Sequence, residues 1–430
     1  MKPEKPTRAP LNWFDEVVIH KEPLGVVLVL GTWNYPLHLT LLPVAGAIAA
    51  GNCVIIKPPD LVPESARAMA ELIPRYLDKD CVQVLLGGIP ETTEILRQKF
   101  DYIFYTGSAN VGRIVHAAAN RHLTPTTLEL GGKSPVWLGA SADLLTATRR
   151  LLWGKFTNMG QTCVAPDYLL CTREVRDDFL RLAKQVIEEF YGADPKASPD
   201  LGRIVSDRQF QRVNQLLKCG TVAVGGDVDR ADLYVGPTIL VDVLPDDPVM
   251  AEEVFGPVLP VYTVAGPTEA VNFINSRDKP LALYVFTRDP EERDMFLSNT
   301  SSGGVSVNDT MLHLCTEGLP FGGVGLSGMG AYHGRYSFET FSHRKGVLAK
   351  NFNPVLEAVA AARYPPYSRH KTLLLRTLML KRRSLPWRTL ASAGLFSLGM
   401  AFTWALNLLT AGMTAPPETA TAAAAAVPDT

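Results

Sequence analysis

The sequence predicts an α/β protein built on open, largely parallel sheets. Three observations carry this: short apolar runs of strand length recur from residue 25 onward, amphipathic runs of helical length separate them, and the chain is long enough for more than one packed unit. At 430 residues, with 42 Lys+Arg against 43 Asp+Glu and a formal net charge of −1, the chain is not built to bind nucleic acid.

The first strand is expected over Gly25–Leu30, an unbroken run of β-branched and leucine side chains after one glycine. A turn and an apolar segment, Leu37 to Ala50, follow it. Asn52–Lys57 reads as a second buried strand and Ser65–Leu77 as a helix with apolar residues at helical spacing. The alternation continues through a strand at Val82–Leu86, a helix near Glu91–Gln98, a strand at Tyr102–Tyr105 and a helix beginning near Ser108. Ser108 has two readings, a simple helix cap or a hydroxyl and exposed amides offered to a pyrophosphate. Further along, helices are expected over Ala142–Thr157 and Arg176–Tyr191, and strands over Thr238–Val241 and Val258–Tyr262. Gly323–Gly328 fits G-x-G-x-x-G, but no strand and helix frame it, so it reads as a loop.

Two residues suggest chemistry. Cys163 lies in Asn158-Met159-Gly160-Gln161-Thr162-Cys163, and Glu129 lies in Thr127-Leu128-Glu129-Leu130-Gly131-Gly132. A thiolate attacks carbonyl carbon, and a neighbouring carboxylate can activate the water that releases a thioester. The other five cysteines, Cys53, Cys81, Cys171, Cys219 and Cys315, show neither Cys-x-x-Cys spacing nor a Cys/His alternation. They are expected to be reduced, buried small apolar residues, and no metal site is expected.

With these motifs stand Thr32-Trp33-Asn34-Tyr35-Pro36, Phe104-Tyr105-Thr106-Gly107-Ser108, Glu252-Glu253-Val254-Phe255-Gly256-Pro257 and Leu319-Pro320-Phe321-Gly322-Gly323. In this order they resemble the aldehyde dehydrogenase family, in its class 3 branch that includes fatty aldehyde dehydrogenases, from about Val17 to Lys345. The resemblance implies a Rossmann-type cofactor domain over residues 1–129, an α/β catalytic domain over 130–335 and a bridging, dimer-forming element over 336–350. It also implies strand-like bridge pieces near Asp15–His20 and Thr340–Leu348, and N-terminal helices that this shorter sequence does not show. The expected assembly is a homodimer.

By the same resemblance, Cys163 is the nucleophile and Glu129 the base for hydrolysis. Asn34 and the Cys163 backbone N–H would form the oxyanion hole. Lys57, Gly107, Ser108, Glu253 and Phe255 would bind the cofactor, with Glu253 on the nicotinamide ribose. Tyr35 and Phe321 would line the substrate pocket. Lys133 reads as a structural ion-pair partner. The implied activity is NAD(P)-dependent oxidation of aldehydes to carboxylic acids. Both NAD and NADP are open, with NAD favoured because Asp60, in Lys57-Pro58-Pro59-Asp60, would repel a 2′-phosphate.

The C-terminal region carries a separate expectation. A linker, 351–388, is rich in Lys and Arg, whereas 389–413 has no charged residue. As a helix those residues would extend about 37 Å, enough to cross a hydrocarbon core of about 30 Å. The expectation is a tail anchor with a cytosolic catalytic domain, at the endoplasmic reticulum, and a disordered tail over 414–430. An interfacial helix and a protein-buried helix are the other readings. An anchored enzyme would meet apolar aldehydes, so medium- to long-chain aliphatic substrates are expected. The alternative is a catalytically weak, membrane-tethered binding or structural protein that retains the fold.

Overall fold

The computed structural model describes residues 3–8, 12, 14–350, 352–379, 395–397, 399, 400 and 403. The first strands are β1 (Glu16–Pro23), β2 (Val26–Leu30), β3 (Cys53–Lys57), β4 (Val82–Val84), β5 (Tyr102–Thr106) and β6 (Thr126–Glu129). Next come β7 (Pro135–Leu138), β8 (Tyr168–Cys171), β9 (Thr221–Val224), β10 (Val228–Asp229), β11 (Tyr234–Val235) and β12 (Thr238–Val241). The last are β13 (Val258–Thr263), β14 (Ala282–Phe286), β15 (Gly304–Val307), β16 (Gly328–Met329) and β17 (Ser342–Ala349).

The chain divides into two compact units, Lys21–Lys345 and the combination of Met1–His20 with Gly346–Thr430. The larger unit holds two main sheets. The first has the order β16-β6-β5-β2-β3-β4, parallel throughout except that β16 runs antiparallel to β6. Its central strand is apolar on both faces: Val27 and Val29 join one core cluster, Leu28 and Leu30 another. A strand covered on both sides by helices needs such a continuous apolar run.

Because β3 and β4 lie to one side of β2 while β5 and β6 lie to the other, the order reverses between β2 and β5. The carboxyl ends of strands at such a reversal form a crevice for ligands. The residues that end these strands, or follow them directly, are Asn34 after β2, Lys57 on β3, Gly107 and Ser108 after β5, and Glu129 on β6. The second sheet has the order β15-β14-β7-β8-β13-β12-β9, parallel except for β9 against β12.

The expected elements appear with shifted ends. The apolar segment Leu37–Ala50 forms a helix over His38–Ala49, and the helices expected at Ser65–Leu77 and Arg176–Tyr191 run over Pro63–Tyr76 and Arg173–Tyr191. Gly323–Gly328 is a loop with a short 3-10 turn at Gly325–Ser327, as expected. β1 and β17 form a two-stranded ribbon. The smaller unit contributes an ion pair of Lys350 with buried Asp15, at 2.7 Å, and the helices Pro354–Ala360 and Arg369–Met379.

Two expectations need comment. The cysteines other than Cys163 are not uniformly buried: Cys171 and Cys219 are, but Cys53 is half-buried and Cys81 and Cys315 are exposed. Cys81 sits in the turn before β4, the strand at the sheet edge, and Cys315 ends a surface 3-10 turn, Leu312–Cys315, so neither can reach the core. The apolar segment 389–413 lies almost wholly outside the described residues, and 414–430 entirely so. Among the described residues no helix is long and apolar enough to cross a membrane.

Candidate active site

Cys163 stands on the loop between the helix Leu144–Phe156 and β8. This loop turns through three consecutive positive-φ residues, Asn158 (51°), Met159 (57°) and Gly160 (69°). A side chain at Gly160 would place its Cβ 2.3 Å from the Gly256 carbonyl oxygen, so only glycine lets the two segments meet there. Non-glycine residues in this region cost roughly 1–3 kcal/mol each and persist only where surrounding contacts impose them.

Those contacts are explicit. The Asn34 amide nitrogen donates to the Gln161 carbonyl at 3.0 Å, and Asn158 Nδ2 donates to the Asn34 carbonyl at 3.0 Å. Gln161 Nε2 donates to the Asn158 and Arg203 carbonyls, and its Oε1 accepts from Val205 N–H at 3.0 Å. Tyr35 shares a 2.9 Å hydrogen bond with Thr162, the residue before the thiol. On the other side, the buried Tyr284 hydroxyl donates to the Val164 carbonyl at 2.5 Å and accepts from Met311 N–H at 3.3 Å. The nucleophile loop is therefore fixed immediately before and after Cys163.

The electrostatics oppose a resting thiolate. Burial, then the carboxyls of Glu253 and Glu129, pushes the Cys163 thiol well above its ordinary value, outweighing its own and Val164's backbone N–H groups. Burial and the two carboxyls thus favour the protonated thiol, and the thiolate expected from the sequence is the species that attacks, formed against this bias. Glu129 ends β6, only 3 % exposed, and neither of its carboxyl oxygens has a hydrogen-bond partner. Burial holds it well above the usual carboxylate range.

Glu253 lies against the loop that follows Glu129. One of its oxygens would be 2.2 Å from a Cβ added at Gly131, so that glycine makes room for the carboxyl. Burial and Asp167 raise Glu253 to about 8, and its Oε1 has no partner. Its segment is anchored from below: Lys133 pairs with Asp167 at 2.7 Å and donates to the carbonyls of Val249 and Glu252, while Asp167 accepts from Val254 N–H. Lys133 is a structural ion-pair partner, as expected.

Phe255, at φ 45°, packs edge-on against Trp33 with ring centroids 5.3 Å apart. Lys57 is buried, donates to the Pro58 carbonyl at 2.7 Å and is lowered by burial, partly offset by Asp60 and Glu91. Ser108 caps the helix Ala109–Asn120 by accepting from Val111 N–H at 3.4 Å. Phe321 is buried, stacks on His333 at 5.0 Å and meets Tyr332 edge-on at 5.8 Å.

Asn34, Tyr35, Glu129 and Glu253 are thus brought to the Cys163 loop, while Lys57 and Ser108 line the ends of β3 and β5. Sequence reasoning missed Tyr284 and Tyr332. Tyr284 sits in the apolar run of β14, where nothing distinguishes it from core, and only its hydroxyl contacts reveal it. The donor set fits a dinucleotide: a helix N-terminus at the sheet reversal, a buried lysine, and at Glu253 a half-buried carboxyl whose Oε1 has no partner, suited to a ribose diol. Among the described residues no cluster of His, Cys, Asp or Glu could hold a metal ion.

Comparison with known proteins agrees with this geometry. The family described as the Aldehyde dehydrogenase family matches residues 2–347. Aldehyde dehydrogenase family 3 member A2 of Mus musculus is 51% identical over 372 residues, spanning 86% of this chain and 76% of the relative. The dimeric NADP-preferring aldehyde dehydrogenase of Mus musculus is 54% identical over 352 residues, 82% of this chain and 77% of the relative. Among solved structures, a substrate-bound state of Staphylococcus aureus AldH aligns with a TM-score of 0.84 at 42% identity, covering 88% of this chain and 82% of that one. The chain belongs to the aldehyde dehydrogenase family, with family 3 members among its relatives, and is an NAD(P)-dependent oxidoreductase.

Proposed function

We propose that this enzyme oxidises medium- to long-chain aliphatic aldehydes to carboxylic acids, working as a homodimer tethered to the endoplasmic reticulum membrane by the segment 389–413. The observation that carries the chemistry is the hydrogen-bonded contact of Asn34 with the Cys163 loop, flanked by the Glu129 carboxyl oxygens and by Glu253 Oε1, none of which has a partner.

Cys163 attacks the aldehyde carbon: a C–S bond forms, the C=O π pair moves onto oxygen, and the thiol proton passes to solvent water. The oxygen of the adduct becomes an oxyanion that Asn34 Nδ2 and the Cys163 N–H stabilise. When bound, the dinucleotide supplies the hydride acceptor that leaves a thioester on Cys163. Glu129, once ionised, takes a proton from water as it attacks the thioester, the carboxylic acid leaves, and the thiol is regenerated. Lys57, Gly107 and Ser108 hold the adenosine and pyrophosphate end, Glu253 the nicotinamide ribose, and Phe255 the ring. Phe321 and Tyr35 bound the substrate pocket, an apolar wall suited to an alkyl chain.

NAD is the favoured cofactor, since the Asp60 and Glu91 carboxylates act on Lys57 and would repel a 2′-phosphate. A relative named NADP-preferring makes this a direct question. The test is NAD(P)H formation from hexadecanal and from glyceraldehyde, with NAD and NADP supplied separately, for the full chain, Cys163→Ala and a chain lacking 373–430. The proposal requires turnover that Cys163→Ala abolishes, faster with hexadecanal and NAD, and reduced on vesicle-borne hexadecanal by the deletion. Equal rates on both aldehydes with no effect of the deletion refute the substrate and membrane assignment.

A further inference from the structure

We propose that Cys53 and Cys81 are a paired redox-modification site that hydroperoxides convert to an intrachain disulfide. This dithiol is separate from the catalytic thiol. It rests on the register of β3 and β4, which are parallel with Val54 opposite Val82 and Ile55 opposite Gln83. One step back along both strands, Cys53 faces Cys81, and the Val54 N–H donates to the Cys81 carbonyl at 2.7 Å.

Opposed residues on neighbouring parallel strands point to the same face of a sheet. Burial supports the same face here, since Cys53 and Ile55 are half-buried, Cys81 and Gln83 are exposed, and the intervening Val54 and Val82 are buried. Neighbouring strands are roughly 4.8 Å apart, within the roughly 4.4–6.8 Å that a disulfide spans between Cα atoms. A turn sets Cys81 in place, with its N–H and that of Val82 both donating to the Asp78 carbonyl. Of the six free cysteines, these two adjoin where β3 begins beside the turn into β4, and solvent reaches them at the sheet edge.

The chemistry is an oxidation in two steps. The neighbouring Cys53 and then the Asp78 and Asp80 carboxylates hold the Cys81 thiol above its ordinary value, which leaves Cys81 the resolving thiol. Attack on a hydroperoxide forms an S–O bond and breaks O–O, releasing one water or alcohol and oxidising Cys53 to a sulfenic acid. The Cys81 sulfur then attacks Cys53: S–S forms, S–O breaks, and the thiol proton leaves with hydroxide as water. One hydroperoxide thus consumes two thiols. An exposed bond between neighbouring strands is of the labile kind that thiols reduce again.

The experiment uses the full chain carrying Cys163→Ala, so that oxidation of the catalytic thiol does not enter the reading and failure of the aldehyde chemistry leaves the result intact. Hydrogen peroxide is titrated in, remaining thiols are alkylated, and peptides are identified by mass before and after dithiothreitol. The expected result is a joined Cys53–Cys81 peptide as the main product, reversed by dithiothreitol. With Cys81→Ser added, the cross-link vanishes and a sulfenic acid at Cys53, trapped by dimedone, rises about tenfold over the parent. Independent oxidation of the two cysteines at the same rates in single and double variants, or cross-links of either one to Cys315 in preference, overturns the pairing.

Discussion

Asn34 donates its side-chain amide to the carbonyl of Gln161, two residues before Cys163, across 3.0 Å. That bond ties the loop after β2, in the first sheet, to the nucleophile loop that precedes β8 in the second. The same nitrogen carries another hydrogen, which is the one available to an oxyanion formed on Cys163. Asn34→Ala removes both the donor and the tie. Its kcat should fall about 10²–10³-fold, with a much smaller change in KM, because an oxyanion donor acts chiefly in the transition state. Steady-state kinetics with a soluble aldehyde checks this, and a change confined to KM would remove Asn34 from the oxyanion hole.

In the mechanism proposed above, Glu129 acts after the thioester has formed. Glu129→Gln should therefore preserve a rapid burst of NAD(P)H equal to the number of sites while slowing steady turnover about 10²–10⁴-fold. Stopped-flow absorbance separates the two phases. Loss of the burst itself would assign Glu129 to acylation.

The Cys163 thiol is raised by burial first, and then by Glu253 and Glu129. A carboxylate near a thiol opposes a second negative charge, so removing the charge must lower the thiol pKa. Iodoacetamide should alkylate Cys163 in the ligand-free enzyme slowly near pH 7 and faster as pH rises. Glu253→Gln should alkylate faster than the parent at about pH 8–9, where the parent carboxyl has ionised. Identical pH profiles for the two proteins would show that burial alone sets the thiol.

Most of the fold was legible because both faces of the central strands are covered, which writes them into the sequence as unbroken apolar runs such as Val26–Leu30. The positions of Asn34, Lys57, Ser108 and Glu129 were legible from short motifs, since each ends or follows a strand of the reversed sheet. Tyr284 was not, because a tyrosine inside β14 reads as core until its hydroxyl is found on the Val164 carbonyl. The raised Cys163 thiol was equally hidden, as it depends first on burial and then on Glu253, ninety residues further along, folding back against Gly131. Cys81 was misread as core because composition cannot distinguish an edge-strand turn from a buried strand end.

Glu253 gives a stability prediction whose sign is fixed by burial. Its carboxyl is raised to about 8 in the folded enzyme from an ordinary value near 4.5, so the folded chain binds that proton more tightly than the unfolded chain does. The resulting stability is fully present below the ordinary value and is lost as pH rises through about 8. Glu129, also raised by burial, acts with the same sign, so removing one carboxyl reduces the slope without abolishing it. Glu253→Gln, which is uncharged at every pH, should melt close to the parent near pH 5 and above it near pH 9 in the absence of cofactor. Differential scanning calorimetry across that range measures the divergence. A constant offset between the two proteins would mean that Glu253 is ionised throughout, with a partner in solution that neutralises it.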